Sequence, residues 1–195
     1  MQNRIINLAT DSLNVISQIA ENHAADIERV ARALAAALMQ DQRIFCCGNG
    51  ASAGNAQSFA SKMGNRFERE RPAFPVILLG DIAVTTAIAA DGCFEDVYAR
   101  PLQALARPND VLLALSASGN ATNIAQAARV MQENGGQVIA LTGTEGGELG
   151  RLLGEDDIHL RLPGSSAPRI HEAQLFVLNC CCDLIDREFF GANDV

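Results

Sequence analysis

The stretch "CCGNGASAGNAQSFASK", Cys46 to Lys62, decides how this chain folds. A short apolar run leads into it, an asparagine between two glycines follows, and a helical pattern begins directly afterwards. The order is strand, tight turn, helix. Gly48 and Gly50 let the backbone turn sharply, so that amide groups can approach an anion, and Ser52 brings a hydroxyl to the start of the helix. Taken alone, such a turn reads as an ordinary helix cap.

Working outward from this turn, the same unit recurs. After "RIFCC" (43–47) come the apolar runs "PVILL" (75–79), "DVLLALS" (110–116), "QVIALTG" (137–143) and "DIHLRLP" (157–163). The first four are nearly continuous in apolar residues, as parallel strands covered on both faces are. Helical patterns separate them at about 52–67, 82–89, 121–134 and 147–153, and a long, largely apolar helix closes the chain at about 169–189. The alternation predicts an α/β fold with an open, doubly wound, mostly parallel five-stranded sheet.

Ahead of it, Ile5, Leu8, Ser12, Val15, Ile16 and Ile19 follow a helical repeat, which "ENHAAD" interrupts. Ile27, Val30, Leu34 and Leu38 resume it, with Asp26 as the expected N-cap. These stripes need cover, from the core or from the same helices of another subunit. Pro and Gly cluster only at turns, so residues 1–195 read as one domain: a helical oligomerisation segment over 1–40 and an α/β core over 43–195.

Composition narrows the function. Hydrophobic residues make up 48% of the 195, and 15 basic residues face 23 acidic ones for a net charge of −8. Non-specific nucleic-acid binding draws most of its affinity from basic side chains on phosphates, so direct DNA binding is disfavoured, whereas a basic protein surface is a suitable partner. No apolar run approaches the ~20 residues that span a bilayer. The opening "MQNRIINLATDSLN" has no basic region followed by an apolar core, and a cytoplasmic location is expected. The six cysteines, Cys46, Cys47, Cys93, Cys180, Cys181 and Cys182, lack the spaced pairs of a zinc site and read as reduced, buried, apolar side chains. Neither a metal nor a cofactor is expected.

A second turn of the same kind, "SASGNAT" (116–122), follows the third run and opens a helix. Ser116, Ser118 and Thr122 offer hydroxyls, Gly119 permits the turn, and Asn120 suits a cap. Ligands of doubly wound sheets bind beyond the carboxyl ends of the strands. Two hydroxyl-rich turns there make a phosphate site of Asn49, Gly50, Ser52, Ser116, Ser118, Asn120 and Thr122. Neither turn has the dinucleotide or Walker pattern. The glycines of "LTGTEGGELG" (141–150) shape a third turn.

With "CGNGAS", "NRFERERP", "NDVLLALS", "SGN", "VIALTG" and the ending "RIHE…CDLID", the chain resembles the sugar isomerase (SIS) domain family over essentially its whole length. The likeness is to the branch that holds phosphoheptose isomerases and the DnaA initiator-associating protein DiaA. It implies the SIS fold, a homotetramer assembled through helices, and a phosphosugar pocket. The isomerases interconvert sedoheptulose 7-phosphate and glycero-manno-heptose 7-phosphate. Their proton transfers fall to a His and a Glu four residues apart on the helix after the first turn, and to a Gln and a later His on the last helix; some members bind zinc there.

At all four positions this chain differs: Ser58, Lys62, His171 and Asn179 stand there. Asparagine exchanges no proton at neutral pH, and Lys62 puts a cation in place of a carboxylate. Lys62 is a solvated surface residue, a partner for a phosphate, or a buried base. His171 either titrates near neutrality or is a hydrogen-bonded residue of the helix start. Asp91, matching the family's "GND", either touches a sugar hydroxyl or caps a turn. Phe189 and Phe190 are adjacent on a helix and so point about 100° apart. Either one is exposed as an anchor for a partner, or both pack in a subunit interface.

Three functions remain open on this reading. One is a non-catalytic protein that binds a DnaA-type initiator and regulates chromosomal replication. The second is a phosphoheptose isomerase with altered catalytic residues. The third is a sensor whose bound phosphosugar modulates a protein partner.

Overall fold

The computed structural model describes residues 1–191 of the chain. Two helices lead, α1 (Gln2–Asn22) and α2 (Ala24–Met39). Then come β1 (Ile44–Gly48), α3 (Ala51–Gly64), β2 (Val76–Leu78), α4 (Ile82–Ala90) and α5 (Ala99–Leu105). The chain ends with β3 (Val111–Ser116), α6 (Thr122–Glu133), β4 (Gln137–Gly143), α7 (Gly147–Leu152), β5 (Ile158–Leu162) and α8 (Ala167–Phe190). The strands are ordered β2-β1-β3-β4-β5, and every pair is parallel. This is the expected α/β sheet of five strands.

Burial on both faces explains the unbroken apolar runs. Alternate residues of a strand point to opposite sides. Ile44 and Cys46 therefore enter one core with Val15, Ile19, Leu34, Phe59, Met63 and Val177. Phe45 and Cys47 enter the other with Tyr98, Leu102, Ile124 and Met131. The first core packs α1, α2, α3 and α8 on one face of the sheet, and the second packs α4 to α7 on the other. A fully buried Phe or Leu side chain in such a layer contributes roughly 1.5–3 kcal/mol.

Three local expectations are corrected. Asp26 does not cap α2: His23 is the N-cap, and Asp26 sits in the first turn, 3.5 Å from the His23 ring. Asn120 does not cap α6, whose N-cap is Ala121; its side-chain oxygen accepts from the Glu148 amide of α7 at 3.0 Å. The region 94–105, left without an element in the sequence reading, forms a 3₁₀ turn at Phe94–Asp96 and then α5. Pro101 masks α5 in the sequence, yet it lies in the helix's first turn, where a missing N–H costs nothing.

A buried cation closes the first helix of the sheet. Arg71 donates to the backbone carbonyls of Lys62, Met63 and Pro72 at 2.9–3.0 Å, and its Nε meets Asp186 of α8 at 2.6 Å. Its guanidinium also lies 4.4 Å from the centre of the Phe74 ring. The carbonyls left over at the end of α3 thus find donors, and α3 is tied to α8. Breaking a buried pair from one side strands the other charge. Arg71→Met is expected to cost about 3–5 kcal/mol, read as a lower urea midpoint at unchanged m-value.

Burial also governs the thiols. It pushes Cys47 and, against the lowering effect of Lys62, Cys182 up to about 12, and it raises Cys46 and Cys181 well above the usual thiol range. Cys93 and Cys180 are half-buried. A thiol reagent at pH 8 attacks thiolate, so the native protein is expected to titrate no more than two of its six cysteines promptly, and all six once unfolded. Prompt modification of four or more would contradict this packing.

Candidate functional site

The strand order reverses direction between β1 and β3: from β1 the chain passes to β2 on one side, and from β3 it passes to β4 on the other. At that switch point the carboxyl ends of the strands leave a crevice. It is a cavity of about 450 Å³ lined by Asn49, Ser52, Ser116, Ser118, Ser165, Ser166 and His171, with Leu115 and Ile170 among its apolar walls.

Three helices begin at its rim. Their N-cap residues, Gly50 for α3, Ala121 for α6 and Ser166 for α8, make no side-chain cap bond, although in α6 the Ile124 amide is taken by Asn123 Oδ1 at 3.0 Å. The positive ends of three helix dipoles therefore border one space.

The two sequence-predicted turns are fastened together above it. Asn49 and Asn123 exchange side-chain hydrogen bonds of 2.8 and 2.9 Å, one in each direction. The Tyr98 hydroxyl donates to the Gly48 carbonyl and lies 3.2 Å from Asn49 Oδ1. Ser116 Oγ accepts from the Gly119 amide at 3.1 Å, which tightens the second turn. Gly119 has φ +70°, and a Cβ there would lie 2.0 Å from the carbonyl oxygen of Gly146. Only glycine fits against α7 at that point.

Beneath the turns, Gln174 is fully buried and joins three elements. Its Nε2 donates to Leu141 O of β4 at 3.2 Å, and its Oε1 accepts from Ser52 Oγ at 3.0 Å and Asn55 Nδ2 at 3.4 Å. Ser52 thus lines the cavity with its hydroxyl already committed.

Of the expected ligand residues, the structure brings Asn49, Ser52, Ser116 and Ser118 together in the cavity lining. Gly50 sits at the rim with φ +55°. Asn120 is turned toward α7, Thr122 is exposed in the first turn of α6, and Asp91 is exposed at the end of α4; none of the three lines the cavity. Ser165 and Ser166, which do, escaped the sequence reading, as did Asn123 and Gln174.

The four positions of the isomerases' proton-transfer groups divide. His171 lines the cavity. Lys62 and Asn179 instead engage each other, Nζ donating to Oδ1 at 2.6 Å, with the ammonium 5.8 Å from the centre of the Phe67 ring. Ser58 is half-buried on α3. Zinc does not fit here: an ammonium group and a neutral amide occupy ligand positions, and the described residues hold no cluster of three His, Cys, Asp or Glu suited to a metal.

The other histidines are structural. His159 is half-buried on β5, 2.8 Å from Thr142 Oγ1, and burial together with Arg161 lowers its pKa below the usual range. His23 stands between α1 and α2. At the far end of α8, Phe189 is half-buried against Phe74 with ring centroids 4.7 Å apart, while Phe190 is exposed under the Arg69 guanidinium.

Residues 9–143 match the model of the SIS domain. The chain belongs to the SIS domain family. A DnaA initiator-associating protein DiaA of Escherichia coli O1:K1 is 44% identical to it over the full length of both chains. A phosphoheptose isomerase of Chromohalobacter salexigens is 38% identical, the match covering 99% of this chain and 98% of that one. Among solved structures, a phosphoheptose isomerase from Francisella tularensis superposes with a TM-score of 0.92 at 35% identity, covering 95% of this chain and 98% of that one. SIS proteins with both names are thus similar to this chain along nearly all its length.

Gly119→Ala is expected to strain the second turn whatever the chain's activity. The clash with backbone costs about 2 kcal/mol or more and lowers the thermal midpoint by several degrees. An unchanged midpoint would mean that the turn and α7 are not packed as described.

Proposed function

We propose that this chain is a non-catalytic SIS protein of the DiaA kind, which binds a DnaA-type initiator and regulates the start of chromosomal replication. The observation that carries this reading is the bond between Lys62 and Asn179. By resemblance, these two positions hold the isomerases' carboxylate and imidazole. A cation donating to an amide oxygen can neither take a proton from a sugar carbon nor relay one at neutral pH. Aldose–ketose interchange needs both acts, so the isomerase reading loses its chemistry while the fold stays intact.

The partner surface proposed is the aromatic end of α8. Phe190, 38% exposed, is the accessible anchor; Phe189 supports it from below, against Phe74. Net charge of −8 favours a basic partner. Assembly into a homotetramer through helices is part of the proposal. It is supported by α1, where Ile5, Ile6 and Leu13 are all more than 60% exposed. Several copies of the anchor on one particle would raise the local concentration of bound initiator without contact to DNA.

One observation favours a second role for the same protein. Three helix starts bordering a hydroxyl-lined cavity suit the phosphate of a phosphosugar, held without turnover.

Purified protein is expected to bind purified DnaA in a surface-capture assay, and Phe190→Ala to weaken that binding about tenfold or more at unchanged circular dichroism. Sedoheptulose 7-phosphate, with or without zinc, should show no isomerisation above buffer beside an authentic isomerase. Turnover at an ordinary enzymatic rate would overturn the proposal.

A further inference from the structure

We infer that Asn123, a buried residue outside the cavity lining, fixes the orientation of the Asn49 carboxamide and so makes Asn49 a hydrogen-bond donor to the ligand. The inference rests on the reading of the cavity as a phosphosugar site.

Asn49 directly follows β1, is half-buried and lines the cavity. Asn123 is 3% exposed in the first turn of α6. Their carboxamides bond each other both ways, Asn49 Nδ2 to Asn123 Oδ1 at 2.8 Å and Asn123 Nδ2 to Asn49 Oδ1 at 2.9 Å. On its own such a pair is indifferent to orientation. Exchanging oxygen and nitrogen in both side chains leaves two equally good bonds.

A third group removes that freedom. The Ile124 N–H donates to Asn123 Oδ1 at 3.0 Å, and a backbone amide can only donate. Turned over, Asn123 would set an NH2 against an N–H and lose the bond. Its oxygen is therefore held toward Ile124 and Asn49 alike, and Asn49 must answer with its nitrogen. The Tyr98 hydroxyl, shared with the Gly48 carbonyl, lies 3.2 Å from Asn49 Oδ1 and agrees with the oxygen lying on that side. Orientation thus passes from the backbone of α6 through Asn123 to Asn49.

The bonds left over can be counted. A carboxamide nitrogen carries two protons. One proton of Asn49 Nδ2 goes to Asn123, and the other has no acceptor among the described residues. Asn49 Oδ1 is filled by Asn123 and Tyr98. What remains for a ligand is one N–H, which suits an oxygen of a phosphate or a sugar. Neighbouring Ser52 has no such spare proton, because its hydroxyl donates to Gln174. Without Asn123, the Asn49 amide turns freely and presents its oxygen as readily as its nitrogen, and an oxygen set against a phosphate oxygen repels it. Asn123 is a positioning residue: it acts through Asn49 and touches no ligand.

The test is a double-mutant cycle on binding. Sedoheptulose 7-phosphate and inorganic phosphate are titrated calorimetrically, at about pH 7.5, into the wild-type chain, Asn49→Ala, Asn123→Ala and the double variant. Asn49→Ala should raise the Kd for sedoheptulose 7-phosphate about tenfold, the worth of one bond to a charged group, and Asn123→Ala about fivefold. The double variant should bind within about twofold of Asn49→Ala, because the second change has nothing left to act on. Val130→Ala trims a buried residue of the same helix, in the second core. It should lower the thermal midpoint by several degrees and leave Kd unchanged, which separates positioning from plain destabilisation. Asn123→Ser, whose hydroxyl can accept from the Ile124 amide, should weaken binding as Asn123→Ala does, and it carries the comparison if alanine unfolds the start of α6. The same cycle with inorganic phosphate assigns the Asn49 N–H to the phosphate; a cycle confined to sedoheptulose 7-phosphate assigns it to a sugar oxygen. Losses that multiply to about fiftyfold in the double variant, or an unchanged Kd in the folded Asn123 variants, overturn the role of Asn123 and leave the cavity reading standing. No binding of either probe by the wild-type chain overturns both.

Discussion

Arg71 is a cation sealed inside the protein, and the relative placement of α3 and α8 hangs on it. Such a charge is tolerable only because it is met on every side: by carbonyls at the end of α3, by Asp186, and by the face of Phe74. Those bonds set the spacing along the seam between the two helices. Lys62 reaches Asn179 across that seam, Ser52 and Asn55 reach Gln174, and His171 is presented to the cavity at its upper end. Phe74 passes the constraint on to Phe189 and Phe190. One side chain thereby links the position that resembles the isomerases' proton-transfer site, the cavity, and the aromatic end.

The cavity and the side chains at the isomerases' proton-transfer positions have separate physical origins. The cavity is made by backbone: strand ends that diverge at a switch point, and helices that start there. It persists as long as the sheet does. Proton transfer depends on a few side-chain ends, and two of those now satisfy each other. The similarity of the chain to proteins named DiaA and to phosphoheptose isomerases follows from this division, since a shared fold leaves function to the site.

Local signals in the sequence carried the fold well. Five runs became five strands: the first four are nearly continuous in apolar residues, while the alternating "DIHLRLP" became the edge strand β5, whose His159 and Arg161 are less buried. The turns at Gly48–Gly50 and Ser116–Gly119 stood out because glycine and hydroxyl residues concentrate there. The site was less legible, because its other parts depend on pairing at long range. Gln174 lies 122 residues from the serine it holds, and Asn123 lies 74 from its partner. A lone Gln in the stripe Ile170, Ala173, Val177, Leu178 was the available signal for the first: a polar residue on a helix face that is otherwise buried. Ser165 and Ser166 looked like an ordinary loop. Asp91 and Thr122 were drawn into the site by neighbourhood in sequence, yet one ends α4 and the other points outward from α6.

The contact between Gly119 and α7 bears on how such a protein can change over generations. Where backbone touches backbone there is no side chain to trim, so an altered residue at Gly119, or at Gly147 opposite, cannot be accommodated by a compensating change nearby. The turn behind the cavity wall is closed to drift at these two positions. Positions such as Ser58, His171 and Asn179 project from helix surfaces into space that other side chains can fill. Side chains of this family can therefore be exchanged one at a time around a turn whose backbone contact does not yield.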